Sequence, residues 1–372
     1  MKSIPQLKIN KLTVFLALGF TMILLMASCS KINHIETPSP TPEPTDPQLN
    51  PELITFGPYF AGKTVYEWVD ESRDNRPVSI TVFYPALLPK GDSHFYIEKD
   101  RDPDYKNAPY PAILSSTKVA NQFAPYLVSQ GFTWIGVNNI DTYMKLSQEI
   151  YQQPLDLLFA LNKVAENPPA GLEGMINTDM VGAMGYSFDG NNTLTLNGAR
   201  IDSSLYLSHC DDPENLPDWG AMSCFSCDPA YEWDTFTANA EKILTIDQDG
   251  IWQAITDERI KAFIPMATEG YWLFDFSSID RPILMIAGSD DPLYAENALI
   301  FEDLNLQDKT FITILNEEHM MIYDPDIVAK LAHFATAFFG YYLQGNENSA
   351  HYFSKDYVSL FDELQWGIVN EK

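Results

Sequence analysis

Positive charge is scarce in this chain of 372 residues. Lys and Arg number 23 against 51 Asp and Glu, a formal net charge of −28. Nucleic acid is therefore excluded as a natural partner, because phosphate contacts need clustered Lys and Arg. Cysteine is also sparse, with only Cys29, Cys210, Cys224 and Cys227. No internal repeat is visible. No apolar run is long enough for a stable membrane span, the longest being the short stretch Leu12 to Met26. What is present is ample core material, with 45% hydrophobic and 13% aromatic residues. The length suits one large α/β domain plus additions.

The N-terminus reads as a processing segment rather than as fold. Lys2, Lys8 and Lys11 precede the apolar stretch, which ends Leu25-Met26-Ala27-Ser28-Cys29. Small residues just before a cysteine resemble a bacterial lipoprotein cleavage site. By that resemblance residues 1–28 are a signal peptide and Cys29 carries lipid. The expected partner is then a membrane, met through an N-terminal lipid anchor, with the domain on the extracytoplasmic side. Residues 37–47, Thr-Pro-Ser-Pro-Thr-Pro-Glu-Pro-Thr-Asp-Pro, favour extended polyproline II. They make 29–52 a tether whose Pro-rich part spans about 30 Å. An acidic surface also keeps an exported protein soluble.

Beyond the tether, apolar runs and helical periods alternate. Residues 63–69 and 77–84 read as strands joined by the polar Asp70-Glu71-Ser72-Arg73-Asp74-Asn75, a hairpin connection. Residues 92–107 read as a charged surface loop. Strands are expected at 111–115, 132–137, 180–184, 259–265, 281–287 and 310–315. Helices are expected at 123–130, 147–166, from the serine turn to about Arg200, and at 327–339. Strands alternating with helices argue a parallel, doubly wound sheet, made mixed by its antiparallel start. Residues 201–258 break the rhythm and are read as a cap over the carboxyl ends of the strands, where ligands bind in open α/β sheets. They are rich in carboxylates and aromatics, and hold three of the cysteines.

The chemistry concentrates at three strand ends. Gly185-Tyr186-Ser187-Phe188-Asp189-Gly190 follows strand 180–184, so Ser187 falls on a tight turn before a helix. Acyl transfer by serine needs a base to take the hydroxyl proton and an acid to orient that base. After strand 281–287 comes Gly288-Ser289-Asp290-Asp291-Pro292, and after strand 310–315 comes Asn316-Glu317-Glu318-His319. Of the six histidines, His319 alone sits in a loop that follows a strand after the acid. The order serine, acid, histidine is that of a nucleophile on a strand–helix elbow.

Residues 57–340 resemble dienelactone-hydrolase-like and platelet-activating-factor-acetylhydrolase-like α/β-hydrolases. The resemblance is carried by Gly57-Pro58-Tyr59, by Asp70-x-x-Arg73-x-x-Arg76-Pro77 and by Val82-Phe83-Tyr84-Pro85-Ala86. It continues through Pro109-Tyr110-Pro111, Leu127-x-x-x-Gly131-Phe132, the Ser187 turn, Arg259-Ile260-Lys261-Ala262 and the two later loops. It implies an α/β-hydrolase fold over 53–345, with a C-terminal extension at 346–372. It implies an esterase acting on small-molecule or lipid carboxylic esters, without metal or organic cofactor. Its glycine-x-x-aspartate spacing selects Asp291 over Asp290 as the orienting acid. The expected oxyanion donors are the Phe188 N–H and the N–H of Thr117 or Lys118. Two departures stand out. Asp189 occupies the second glycine of the G-x-S-x-G pattern, where a carboxylate gains from the helix dipole but crowds the strand–helix contact, with Gly190 relieving it in part. Ser115-Ser116-Thr117-Lys118-Val119 replaces the usual His-Gly. The alternatives are a peptidase or other acyl hydrolase on the same residues, and a binding lipoprotein that kept the fold.

Three cysteines in an oxidising place suggest one disulfide, Cys210 with Cys224 or Cys227, stapling the cap. A zinc set at His209, Cys210, Cys224 and Cys227 is disfavoured, since adjacent His and Cys rarely ligate one ion. Cap aromatics are candidates either for an acyl pocket or for ordinary packing. Tyr271-Trp272-Leu273-Phe274 is the expected pocket wall.

Overall fold

The computed structural model describes residues 48–87, 97–138, 146–211 and 227–369. The signal segment, Cys29, the run 37–47 and Cys224 lie outside the described residues. Strands β1 (Phe60–Asp70) and β2 (Arg76–Ala86) form the expected antiparallel hairpin. Its turn places Asp74 and Asn75 at φ 51° and 58°, a region that Asp and Asn tolerate better than other side chains. The short β3 (Ile97–Lys99) flanks β1, inside the stretch expected to be loop.

The chain then alternates through β4 (Tyr110–Ser116), α2 (Ala120–Ser129), β5 (Thr133–Val137), α3 (Glu149–Glu166), β6 (Ile176–Tyr186) and α4 (Phe188–Asn197). The single turn Pro51–Ile54 that precedes β1 is α1. After α4 come β7 (Arg200–Ile201), α5 (Ser203–Asp211) and α6 (Trp233–Ala240). The sheet resumes with β8 (Ile260–Met266), followed by β9 (Phe274–Asp275), which pairs with β7, and by β10 (Ile283–Gly288). Then α7 (Tyr294–Asp303), β11 (Lys309–Ile314), α8 (Pro325–Gln344), α9 (Lys355–Val358) and β12 (Leu364–Trp366) complete the order.

The fold is α/β, with a ten-stranded sheet ordered β12-β11-β10-β8-β6-β4-β5-β2-β1-β3. From β5 to β11 every neighbouring pair is parallel. The period of two in each strand sorts side chains onto two faces. Ala112 and Leu114 of β4 and Ile283 and Met285 of β10 join the core shared with α3 and α4. Ile113, Leu284 and Ile286 join the core shared with α2 and α8. Both faces are covered, so these strands read as continuous apolar runs rather than as alternation.

Several short elements escaped the sequence reading, α7 and β12 among them. Helix α7 carries a weak apolar stripe among Glu296, Glu302 and Asp303. Strand β12 is three residues long and adds antiparallel to β11, so the sheet runs into the C-terminal stretch. Helix α4 stops at Asn197 rather than near Arg200, because Gly198 turns at φ 120°. Helix α8 is longer than its apolar period. Its N-terminus is capped by Asp324 Oδ1, which accepts from Asp326 N at 2.8 Å, and Gly345 ends it at φ 68°.

The Asp70-x-x-Arg73-x-x-Arg76 motif is a structural staple. Arg73 donates to Asp70 Oδ2 at 2.6 Å and lies 2.7 Å from Asp156 Oδ1 on α3. Arg76 meets Asp156 at 2.8 Å and Glu149 at 2.6 Å. The hairpin is thereby fastened to α3. The side chains of Arg73 and Asp156 are each only 6% exposed, whereas Glu149 is 28% exposed. Removing the shared carboxylate takes a partner from two guanidiniums at once, leaving Asp70 to Arg73 and Glu149 to Arg76. Asp156→Ala is expected to cost about 3–5 kcal/mol and Glu149→Gln about 1 kcal/mol or less. Urea denaturation of both variants checks the contrast.

His333 of α8 is fully buried, stacked on Tyr357 with centroids 5.5 Å apart. Burial pulls its pKa from 6.5 down to about 4. The folded state keeps it neutral while the unfolded chain protonates it below the ordinary value. Its contribution is therefore present above pH 6.5 and is lost as pH falls towards 4, by roughly 3 kcal/mol in all. His333→Phe is expected to flatten the stability profile in that window, as read by thermal melts at stepped pH.

Candidate active site

Strand order reverses beside β4. The chain leaves β4 for β5 on one side, and α3 then carries it back to β6 on the other. The carboxyl ends of β4 and β6 flank the crevice that such a reversal opens. Ser187 stands there, directly after β6, at φ 58° and ψ −126°. This backbone conformation costs a non-glycine residue about 1–3 kcal/mol. It is held by a hydrogen bond from Ser187 N to Met266 O at 2.9 Å and one from Gly190 N to Ser187 O at 2.7 Å.

The two close approaches of the turn fall at Gly185 and Gly190. A Cβ at Gly185 would collide with the carbonyl of Asp189, and one at Gly190 would stand 2.8 Å from Thr268 Cβ. The helix therefore needs its second glycine one position later than the G-x-S-x-G pattern has it. Asp189 stands at the strand–helix contact as expected, its carbonyl and Cβ facing Gly185, and the lack of a side chain at 185 makes the room. Asp189 lies in the first turn of α4, as expected, and points inward: it is 2% exposed, and its Oδ2 accepts from Ser116 Oγ. Burial raises its carboxyl pKa against the opposing pull of Lys118, Ser116 and Asn192.

The sheet brings Ser187, His319 and Asp291 together. His319 Nε2 lies 3.0 Å from Ser187 Oγ, and His319 Nδ1 lies 2.9 Å from Asp291 Oδ2. The Asp291 side chain is wholly buried and its Oδ1 accepts from Leu293 N at 2.8 Å. With Asp291 ionised, Nδ1–H donates to it, and Nε2 is left to accept the Ser187 proton. Asp290 turns away and accepts from Ser289 Oγ at 3.0 Å. The acid and histidine loops are locked to each other. Asn316 N donates to Ser289 Oγ at 2.7 Å, and a Cβ at Gly288 would strike the Glu317 carbonyl. The Tyr186 hydroxyl donates to the His319 carbonyl oxygen, and burial drives its pKa far above the ordinary tyrosine value. The roles of Tyr186 and Gly288 escaped the sequence reading. Their only local signal was a position beside the serine and at the end of the acid's strand.

A pocket of about 180 Å³ opens over the serine, lined by Lys118, Val119, Gln122, Tyr186, Ser187, His319, Met320, Ile322 and Tyr323. Met320 and Tyr323 are 54% and 68% exposed at its mouth. Phe188 opens α4, so its amide belongs to the helix N-terminus beside Ser187. The Lys118 amide lies 3.3 Å from Ser116 Oγ, a long contact. The Thr117 amide is committed to Val137 O at 3.0 Å and leaves the list of oxyanion donors.

The insertion behaves otherwise than expected at this pocket, since none of the described residues of 201–258 lines it. Tyr206, Trp233, Phe236 and Trp252 cluster instead with Tyr151 of α3 as core. Of the expected wall, Leu273 and Phe274 are buried in that core, and Trp272 stacks on His209 with centroids 4.7 Å apart. Cys210 is joined to Cys227, one of the two expected pairings. Among the described residues no group of His, Cys, Asp and Glu is arranged to hold a metal ion, and no helix is long and apolar enough to cross a membrane.

No protein-family model matches the chain, and no curated protein matches it in sequence. The geometry of the turn makes its own prediction. Gly185→Ala forces strand and helix apart at the serine. It is expected to destabilise the fold by about 1–3 kcal/mol, read by denaturant titration. Because the displaced residue is next but one to Ser187, labelling of the serine by a fluorophosphonate is expected to slow as well.

Proposed function

We propose that the chain is a serine hydrolase of carboxylic esters, built as an α/β-hydrolase and exported as a lipoprotein anchored through Cys29. The observation that carries the reading is the relay Ser187–His319–Asp291, closed at 3.0 and 2.9 Å by three loops from three separate strands. The order of these residues along the chain, and a strained serine between strand and helix, support the same reading.

In the proposed reaction the Ser187 hydroxyl attacks the ester carbonyl carbon while His319 Nε2 takes its proton. Asp291 holds the imidazole in the tautomer that accepts at Nε2, and offsets the charge of the imidazolium. The carbonyl oxygen becomes an oxyanion, to which the N–H groups of Phe188 and Lys118 donate. Collapse of the tetrahedral intermediate breaks the bond to the alcohol, which leaves with the proton from His319. Water, deprotonated by His319, then releases the acid from Ser187. Substrate enters over Met320 and Tyr323, an apolar rim suited to the hydrocarbon part of a small or lipid ester.

Hydrolysis of p-nitrophenyl acetate and butyrate by the wild type is the direct test. Ser187→Ala is expected to abolish it together with fluorophosphonate labelling. Asp291→Asn is expected to lower kcat by about 10⁴, because the asparagine amide favours the wrong tautomer. Equal rates for wild type and Ser187→Ala, with no labelling of either, would sink the reading.

A further inference from the structure

We propose that Asp189 is a positioning residue for the oxyanion site, acting through Ser116 on the Lys118 amide. The inference rests on the ester-hydrolase reading and adds a residue to it. Three contacts run in series. The Asp189 carboxylate sits two residues beyond Ser187 in the first turn of α4. It accepts from Ser116 Oγ, and Ser116 is the last residue of β4. Ser116 Oγ in turn accepts from Lys118 N at 3.3 Å. The nucleophile's turn and the loop that would donate to the oxyanion are thereby fastened to each other through side chains.

The loop needs such a fastening. It has no glycine, and it leaves the sheet directly after Ser116. Its other backbone ties are Thr117 N to Val137 O at 3.0 Å and Ala120 N to Thr117 O at 3.2 Å. The second holds the carbonyl of the peptide whose N–H is that of Lys118, and Ser116 Oγ takes the N–H of the same plane, so the peptide is held from both ends. Asp189 is itself held: Asn192 Nδ2 lies 3.4 Å from its Oδ1 and 2.8 Å from Gln153 Oε1.

Stability alone gives no reason for an acid here. Burying a carboxylate costs several kcal/mol before compensation, whereas a glycine at the same place costs about 1 kcal/mol of helix propensity. A carboxylate near a nascent oxyanion would also oppose it. The Lys118 ammonium offsets part of that charge, opposing the burial that raises the Asp189 carboxyl pKa overall. The 3.3 Å contact is long for an N–H donor, so the amide is held loosely enough to turn to a stronger acceptor, the oxyanion.

Asp189→Gly tests the role, because it restores a glycine at the second position after the serine. The substrate is p-nitrophenyl butyrate, and the probe of the tetrahedral state is butylboronic acid. Asp189→Gly and Ser116→Ala are each expected to lower kcat by about 10-fold or more, with KM within about threefold. Boronate affinity is expected to fall by the same factor as kcat. The double variant is expected to be no worse than either single one, as for residues in series. Asp189→Asn, which keeps an acceptor for Ser116, is expected to recover part of the loss. Should Asp189→Gly fail to fold, Ser116→Ala removes only a hydroxyl and carries the test. Variants with kcat and boronate affinity unchanged, in a wild type whose Ser187 is labelled by fluorophosphonate, would overturn the role of Asp189 alone. A wild type that neither hydrolyses nor labels overturns the ester reading and this role together.

Discussion

The backbone turn at Ser187 is the constraint on which the rest of the site depends. A serine at φ 58° does not rest there unaided. The turn survives because β8 offers the Met266 carbonyl to Ser187 N and because two glycines let strand and helix close on each other. Those approaches fix the backbone that carries the hydroxyl. His319 must then come to it, and the locked loops after β10 and β11 deliver the imidazole with its acid already attached. A strain of about 1–3 kcal/mol at one residue is small beside the burial that surrounds it. It fixes the geometry of every proton position in the relay.

The sheet and the three loop residues were legible in the sequence because they obey local rules. Apolar runs of strand length, punctuated by Gly and Pro, gave the strands. Chain order and loop position gave Ser187, Asp291 and His319. What was not legible depended on packing between distant segments. Asp189 read as a departure from a glycine pattern, and only the packing reveals that the close contacts fall at Gly185, against Asp189, and at Gly190, against Thr268. The aromatics of the insertion read equally as pocket lining or as core. Tyr151, far off in sequence, decides for core by packing against Phe236 and Trp252 at 5.9 and 5.6 Å. Strand β12 carries too few residues to signal itself and exists because β11 has an open edge to pair.

The distribution of charge separates scaffold from chemistry. Asp156 is buried between two arginines, which fastens hairpin to helix and leaves no group free to react. Glu296, also buried, accepts from the Gly270 and Tyr271 amides and secures the loop after β8. Burial raises its carboxyl pKa while those amides draw it down. Asp291 differs in having an imidazole as partner, a group with one ring nitrogen for the acid and another for the serine. Of these buried acids, it is the one partnered by an imidazole.

An acid paired with arginine is confined to a structural role for a physical reason. The guanidinium holds its protons throughout the accessible pH range, so the pair stores no transferable proton. An acid paired with backbone amides is in the same position. Asp189 belongs to neither class, since its partner is a serine hydroxyl that both donates and accepts. A hydroxyl in that place passes orientation on to the next donor, the Lys118 amide, without itself carrying charge. The loop after β4 holds no glycine and is tied instead by a directional link of three polar groups. Such a link holds its shape only while each member keeps its neighbour, which ties the geometry of the β4 loop to the turn that bears Ser187.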